Sequence, residues 1–446
     1  MADFNNANAG KSDTCILVLG AGKSATVLID YLLRESVAEH WQVVVADADP
    51  AAAREKIGGH PSGRAVQLAV QDEQARTALI AASTLVISLL PPSLHYLVAL
   101  SCVATGKNLL TASYADEQIR QLEGAIKAKG LLFLCEMGLD PGIDHMSAMQ
   151  LIDRLKTSGA SIGSFVSHCG GLVAPEYDDN PWQYKISWNP RNVVMAGKAG
   201  AVYREHSQTI RLPYASLFED NRILDFPGLG KLAWYPNRDS LSYLELYGLP
   251  DVDTFIRTTL RYPSFCSGWK KLVLQGLTND QLQIDTDGLS LQQFFRSYFP
   301  DAARISNDNL FYKQLLFLGL EDSGTRINKG RCSPMDALQF ALENKLVLGK
   351  DDRDMVLMLH EINYTQEGQQ FELRSRLLVK GDNQVRTAMA MTVGLPLGIA
   401  AKLILQHRIG ATGLQLPLTK EIYQPVLEEL SRQGISFTET TTLQIS

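Results

Sequence analysis

Cys15-Ile16-Leu17-Val18-Leu19-Gly20-Ala21-Gly22-Lys23-Ser24-Ala25 carries most of what can be said about the fold. The apolar run 15–19 ends at glycine and reads as a buried parallel strand. Val27, Leu28, Tyr31 and Leu32 then recur at helical spacing. Between them lies the G-x-G-x-x-A form of the dinucleotide fingerprint. Its first glycine makes a tight turn, its second admits the pyrophosphate, and its third small residue lets helix and strand pack closely. A second strand, Trp41 to Ala46, ends at Asp47, about where an acidic residue meets the adenosine ribose. Gly20, Gly22, Lys23, Ser24 and Asp47 are therefore the expected dinucleotide contacts.

Downstream the pattern repeats. Strands are expected at Ala65 to Val70, Leu85 to Leu90, Asn108 to Thr111 and Leu131 to Cys135, with helices such as Asp72 to Ala82 and Leu94 to Thr105 between them. Alternation of this kind predicts an α/β domain with a Rossmann-type doubly wound sheet over residues 1–135. Such sheets bind ligands at the carboxyl ends of their strands, which brings in Leu89, Leu90, Pro91 and Ser113. The last of these strands runs into Glu136-Met137-Gly138-Leu139-Asp140-Pro141-Gly142-Ile143-Asp144-His145. Three carboxylates, a histidine, two glycines and a proline in ten positions exclude a helix interior or central strand. They make a loop dense in proton-transfer groups. Asp140 before Pro-Gly could also simply fix a turn.

From Met146 the texture changes. Met146 to Lys156 reads as a helix, Ser164 to His168 as a strand ending at Cys169-Gly170-Gly171, and the next thirty residues as a long binding loop. Tyr203 to Leu212 alternates like a hairpin, and Met355 to Asn363 and Gln370 to Lys380 look like paired strands. Residues 251–347 read as mostly helical. The predicted organisation is a second, α+β substrate and dimerisation domain over 136–387 with a helical insertion at 251–347. The region 388–446 is expected to return to the first domain. Ala388 to Leu405 is nearly apolar, but Lys402 and a break at Gly394-Leu395-Pro396 favour a buried helix after a short turn over a membrane span.

At 446 residues the chain has room for two or three cores. Apolar content of 45% and charged content of 20% are ordinary for a soluble globular protein. A net charge of -6 argues against a nucleic-acid partner. The six cysteines are scattered with no C-x-x-C pair, which fits reduced thiols and a cytoplasmic location, and no metal site is expected. Met1 to Ser12 is small and polar and reads as a disordered lead-in rather than a signal peptide.

Several runs together resemble the saccharopine dehydrogenases of the glutamate-forming type, also called saccharopine reductases. They are Val86-Ile87-Ser88-Leu89-Leu90-Pro91, Thr111-Ala112-Ser113-Tyr114, Gly138 to His145, Ser167-His168-Cys169-Gly170-Gly171-Leu172, Tyr184-Lys185-Ile186-Ser187-Trp188, Tyr235-Pro236-Asn237-Arg238-Asp239-Ser240, Thr259-Leu260-Arg261-Tyr262 and Thr392-Val393-Gly394-Leu395-Pro396. They span nearly the whole chain.

The resemblance implies oxidation of saccharopine, a secondary amine joining lysine to glutamate. Hydride leaves to nicotinamide, and water splits the resulting imine to glutamate and 2-aminoadipate 6-semialdehyde. Family analogy places Tyr114, Asp140 and Cys169 around the reacting carbon. Cys169 is equally compatible with a small buried filler. The substrate has three carboxylates and two amines. Lys185, Arg238 and Arg261, all expected in loops, suit the former. Asp140 and Asp144 suit the latter, and Pro91, Gly142, His145, Trp188 and Thr259 complete the expected substrate contacts. NADP-using relatives carry an arginine just after the second strand. Here that place reads Val45-Ala46-Asp47-Ala48-Asp49-Pro50, with Arg54 a turn or two on. NAD is therefore the expected preference and NADP the second option, which leans the reaction toward lysine degradation. A homodimer with no membrane partner is expected. The competing readings are a carboxynorspermidine-type dehydrogenase, which needs fewer cationic anchors, and a non-catalytic dinucleotide-binding redox sensor, which needs no acid–base groups.

Overall fold

The computed structural model describes residues 14–218, 222–302, 306 and 308–444, so the expected N-terminal lead-in lies outside the described residues. The chain forms two compact units. One comprises residues 1–150 with 390–435, the other residues 151–389 with 436–446.

The first unit is built on strands β1 (Cys15–Leu19), β2 (Gln42–Asp47), β3 (Gly63–Gln67), β4 (Leu85–Ser88), β5 (Asn108–Thr111) and β6 (Leu132–Leu134). Helices α1 (Ala25–Glu39), α2 (Pro50–Ile57), α3 (Glu73–Ala81) and α4 (Pro92–Thr105) connect the first five. The order across the sheet is β3-β2-β1-β4-β5-β6, followed by the late strand Gly413–Gln415. Every pairing is parallel. The order reverses at β1 and β4, so a crevice opens beyond their carboxyl ends. The strands read as continuous apolar runs because both faces are covered. Leu17, Val86, Leu109 and Phe133 pack with Val98 and Cys102 of α4 in one core. The helices start where short polar side chains take over orphan N–H groups. Asp49 accepts from Ala51 N, and Asp72 from Ala75 N.

The helix Ala388–Leu405 is continuous, and the turn expected at 394–396 does not form. Pro396 lies inside it, and tertiary packing offsets the missing hydrogen bond. Gly394 is part of the reason. A Cβ there would stand 2.8 Å from Leu28 N of α1, so the two backbones meet where a side chain is absent. This helix is long and apolar enough to cross a bilayer by composition, yet 78% of it is buried inside the fold.

The second unit carries a ten-stranded mixed sheet. Its members include β7 (Ser161–Val173), β8 (Ala201–Glu205), β9 (Gln208–Leu212), β10 (Arg222–Phe226), β11 (Gly230–Pro236), β12 (Arg238–Asp239) and β13 (Thr254–Arg261). The hairpin Asp354–Gln366 with Gln369–Lys380 pairs on the far side of β7, and Thr438–Leu443 closes the edge.

Three expectations change here. β7 does not stop at His168 but runs thirteen residues, through Cys169, Gly170 and Gly171. A Cβ on Gly170 would lie 2.6 Å from Leu260 O, so the glycine serves close strand packing rather than a turn. The segment assigned to helix from 251 opens instead with β13, a central strand between β11 and β7. Its Thr-Phe-Ile-Arg-Thr-Thr core is rich in β-branched residues and fits a pleated surface, and the helical pattern begins only at Pro263–Leu274. Lastly, the chain beyond 435 does not stay with the first sheet. The threonine-rich strand Thr438–Leu443 pairs antiparallel with Gln369–Lys380.

The glycine contact is testable by thermal melting. Gly394→Ala forces α1 and the 388–405 helix apart and costs about 1–3 kcal/mol, a fall of several degrees in Tm, whereas an ordinary helix glycine gains stability from the same change. An unchanged or raised Tm would show that the contact is slack.

Candidate active site

The glycine turn at β1 is built for a dinucleotide. Gly20 has φ +102°, and its missing side chain leaves room for Leu89 O, 3.0 Å from where a Cβ would be. Around Gly22 a Cβ would find nothing within 4 Å, an open cradle. Ser24 makes no side-chain cap at the start of the fifteen-residue α1. Ala25 N donates to Gly22 O at 3.1 Å, and the N-terminus of a helix left without a side-chain cap suits an anion. These residues fit a pyrophosphate. Asp47 ends β2 with Oδ2 accepting from Ala21 N at 2.6 Å and Oδ1 from Asp49 N at 2.9 Å. Its carboxylate therefore stands against the glycine turn. Nearby, Lys56 Nζ donates to Thr26 Oγ1 at 2.7 Å, and burial holds its pKa below the usual lysine value. Leu89, Leu90 and Ser113 are half-buried just beyond β4 and β5, and Pro91 and Lys23 are exposed.

The acidic loop folds on itself. Gly138 N donates to Pro141 O at 2.9 Å, and Ile143 N to Gly138 O at 2.9 Å. Gly142 has φ +148°, and a Cβ there would fall 2.1 Å from Gly138 O, so no other residue fits. The loop is latched to β5 by Glu136 N to Ser113 O and Met137 N to Thr111 O, both 3.0 Å. Glu136 and His145 are wholly buried, 2.9 Å apart, and Glu136 Oε1 also accepts from Ala115 N at 3.2 Å. Asp144 is buried too and accepts from Gly142 N at 2.6 Å. Asp144 and His145, expected as substrate contacts in a loop, are in the first turn of the helix Ile143–Thr157, with these bonds directed into the loop itself. Asp140 remains half-buried, and the Tyr114 hydroxyl donates to its Oδ1 at 3.2 Å. A phenol on a carboxylate orients it and can shuttle a proton with it. Glu136, not among the expected contacts, turns out to be the anchor of the loop.

In the second unit, Cys169 lies on β7 with Thr259 of β13 and Met358 as its strand neighbours, and it is 6% exposed. Arg261 is not in a loop but ends β13, buried. Its Nη1 donates to Leu260 O at 2.8 Å, its Nε has no partner, and the guanidinium faces the rings of Tyr184 and Phe265 at 5.4 and 5.6 Å. It makes no ion pair among the described residues. A buried cation without an anion is costly, and a guanidinium has the planar donor geometry that matches a carboxylate. Lys185 differs from expectation, because Asp352 and Asp179 hold its ammonium at 2.7 and 2.8 Å. Both partners are distant in kind from any motif, and no sequence signal pointed to them. Arg238 is exposed on the two-residue β12, paired to β8 and with φ +52°, rather than in a loop. Trp188 Nε1 donates to Tyr184 OH at 3.1 Å, adding an edge to the aromatic wall around Arg261. Of the three catalytic candidates, then, Tyr114 and Asp140 meet in the first unit and Cys169 belongs to the second.

Comparison with known proteins gives this arrangement a family. Residues 16–134 match the model of the saccharopine dehydrogenase NADP binding domain, and residues 138–435 that of the saccharopine dehydrogenase C-terminal domain. Mitochondrial alpha-aminoadipic semialdehyde synthase of Bos taurus is 36% identical over 451 residues, covering 96% of this chain and 48% of that protein. The chain spans about half the length of the synthases it matches. The Saccharomyces cerevisiae protein named saccharopine dehydrogenase, NADP(+), L-glutamate-forming, is 32% identical over 448 residues, covering 96% of this chain and 99% of that one. The solved apo saccharopine dehydrogenase (L-Glu forming) of Saccharomyces cerevisiae superposes with a TM-score of 0.85 at 31% identity, over 96% of this chain and all of that one. Homospermidine synthase of Legionella pneumophila, at a TM-score of 0.54 and 11% identity, shares the fold alone. With both halves matched in order and full-length relatives above 30% identity, the chain belongs to the saccharopine dehydrogenase family.

Proposed function

We propose that this chain oxidises saccharopine with a nicotinamide dinucleotide and water to L-glutamate and 2-aminoadipate 6-semialdehyde. The observation that carries the proposal is the Tyr114–Asp140 pair, held at the carboxyl edge of the dinucleotide-binding sheet. The bound dinucleotide supplies the chemistry of hydride acceptance from the carbon next to the secondary amine. Asp140 then has two tasks. Its carboxylate takes the proton of the water that adds to the imine carbon, and it returns a proton to the nitrogen as the carbon–nitrogen bond breaks and glutamate leaves. Tyr114 keeps the carboxylate aimed. Arg261 holds a substrate carboxylate, which compensates its buried charge, with Arg238 as an outer anchor. Lys185, already paired twice, contributes through the Asp179–Lys185–Asp352 cluster that braces its loop.

NAD is proposed as the preferred dinucleotide. Support comes from Asp47, whose position against Ala21 N is where ribose hydroxyls dock in this fold and where a 2′-phosphate would meet like charge. The family model and the fungal relatives are named for NADP, and they weigh on the other side.

A spectrophotometric assay with saccharopine, run with each dinucleotide in parallel, tests substrate, reaction and cofactor at once. The expected result is a higher kcat/KM with NAD, narrowed or reversed in Asp47→Ser. An equal or higher kcat/KM with NADP in the wild type removes the preference.

Asp140→Asn should lower kcat by about a hundredfold or more, the usual worth of positioned acid–base catalysis, with Tm near wild type. A near-normal rate would leave Asp140 as a turn former only.

Arg261→Met makes a paired forecast. The KM for saccharopine should rise by about one to two orders of magnitude, while Tm holds or climbs, because an uncompensated buried cation has been removed. A large fall in Tm with an unchanged KM would assign Arg261 to the core instead.

A further inference from the structure

The imidazole of His95 takes no part in the chemistry above. It projects from the beginning of α4 and is 3% exposed. Its Nδ1 lies 2.8 Å from Ser88 Oγ, at the end of β4. Its Nε2 lies 2.8 Å from Ser113 Oγ, just past β5, with Thr111 Oγ1 at 3.4 Å. Burial pushes the ring's pKa down to about 4, so it is neutral near pH 7. A neutral imidazole offers one donor and one acceptor, so one serine must donate to it and the other accept.

A satisfied core histidine would look similar were it not for what the two serines hold. Ser88 leads into Leu89, whose N–H donates to Leu19 O at 2.8 Å and whose carbonyl lies against Gly20. Movement at Ser88 therefore reaches the glycine turn. Ser113 precedes Tyr114, and its carbonyl accepts from Glu136 N at 3.0 Å, which ties it to the loop that carries Asp140. β4 borders the crevice where the sheet order reverses, and β5 is the next strand beside it. Sequence reading passed over His95 because it sits within a helical pattern, and its partners lie on two separate strands.

We infer that His95 is a positioning residue for the dinucleotide, its ring bridging the ends of β4 and β5 and fixing the direction of the Ser113 hydroxyl toward the bound cofactor. This rests on the dinucleotide-dependent reading above. Preorganised contacts bind tightly because little ordering remains to be done on binding.

The test measures dinucleotide Kd by calorimetric titration with NAD and with NADP, the KM for saccharopine at saturating dinucleotide, and Tm. The proteins are wild type, His95→Phe, His95→Gln and Ser88→Ala. His95→Phe keeps the ring and loses both bonds, and Kd should rise about tenfold or more while saccharopine KM moves less than about twofold. His95→Gln, which can replace a bond, should recover part of the loss. Ser88 is wholly buried, and its hydroxyl is bonded to His95, so Ser88→Ala should also raise Kd. The inference falls if Kd in His95→Phe stays within about twofold of wild type, or if Kd and KM rise together in step with a lowered Tm. Should His95→Phe not fold, unchanged Kd in both His95→Gln and Ser88→Ala overturns it equally. A wild type that binds neither dinucleotide defeats the underlying reading and the inference with it, whereas a wild type that binds normally beside unaffected variants defeats the inference alone.

Discussion

The placement of Asp140 in the first unit depends on a backbone contact that no side chain could survive. Gly142 and Gly138 approach so closely that a single added carbon would overlap the opposing carbonyl. This contact lets the chain leave β6, reverse within a few residues and enter the helix Ile143–Thr157 while presenting Asp140 at the lip. Glycine at these positions costs conformational entropy in the unfolded chain, and the loop recovers it through its latch to β5 and its internal bonds. Asp140 thus stands on a rigid mount rather than on a flexible tether, as its proposed part in proton transfer requires.

The structure handles buried charge in two opposite ways. Glu136 and His145 are sealed together, and Glu136 also takes a backbone N–H, so removing either breaks a buried pair. Lys185 is likewise closed by two carboxylates. Arg261 is left open, enclosed by aromatic faces and without an anion among the described residues. Paired charges hold shape; an unpaired one stores an affinity. Proteins commonly accept such a stability deficit where a ligand must supply the missing partner.

Much of this was legible in the sequence, for reasons that are local. The β1 turn, the alternating strands of the first sheet and the Pro-Gly loop are each specified by residues adjacent in the chain, so pattern reading finds them. The saccharopine-family resemblance likewise rested on short contiguous runs. What escaped was set by partners far away. β13 is a strand because β7 and β11 flank it, although the apolar window around it has helical texture. The glycines after Cys169 looked like a stop, and only the nearness of Leu260 explains why β7 continues through them. Pro396 looked like a break, and only the packing on α1 lets the helix pass through it. Lys185 looked like an anchor because its type and motif suited one, and the carboxylates that occupy it carry no motif at all.

The late strand Gly413–Gln415 has a consequence for the order in which the protein is made. It is the outer neighbour of β6, whose three residues are wholly buried in the finished fold. On the ribosome, β6 emerges early and Gly413–Gln415 only after the bulk of the second unit has been synthesised. During that interval the first sheet is one strand short, with an apolar strand and its row of unpaired backbone groups uncovered. Nascent chains of this architecture therefore pass through a sticky, incomplete stage that scales with translation time, so slow synthesis raises the demand for chaperones even though the finished fold is well packed.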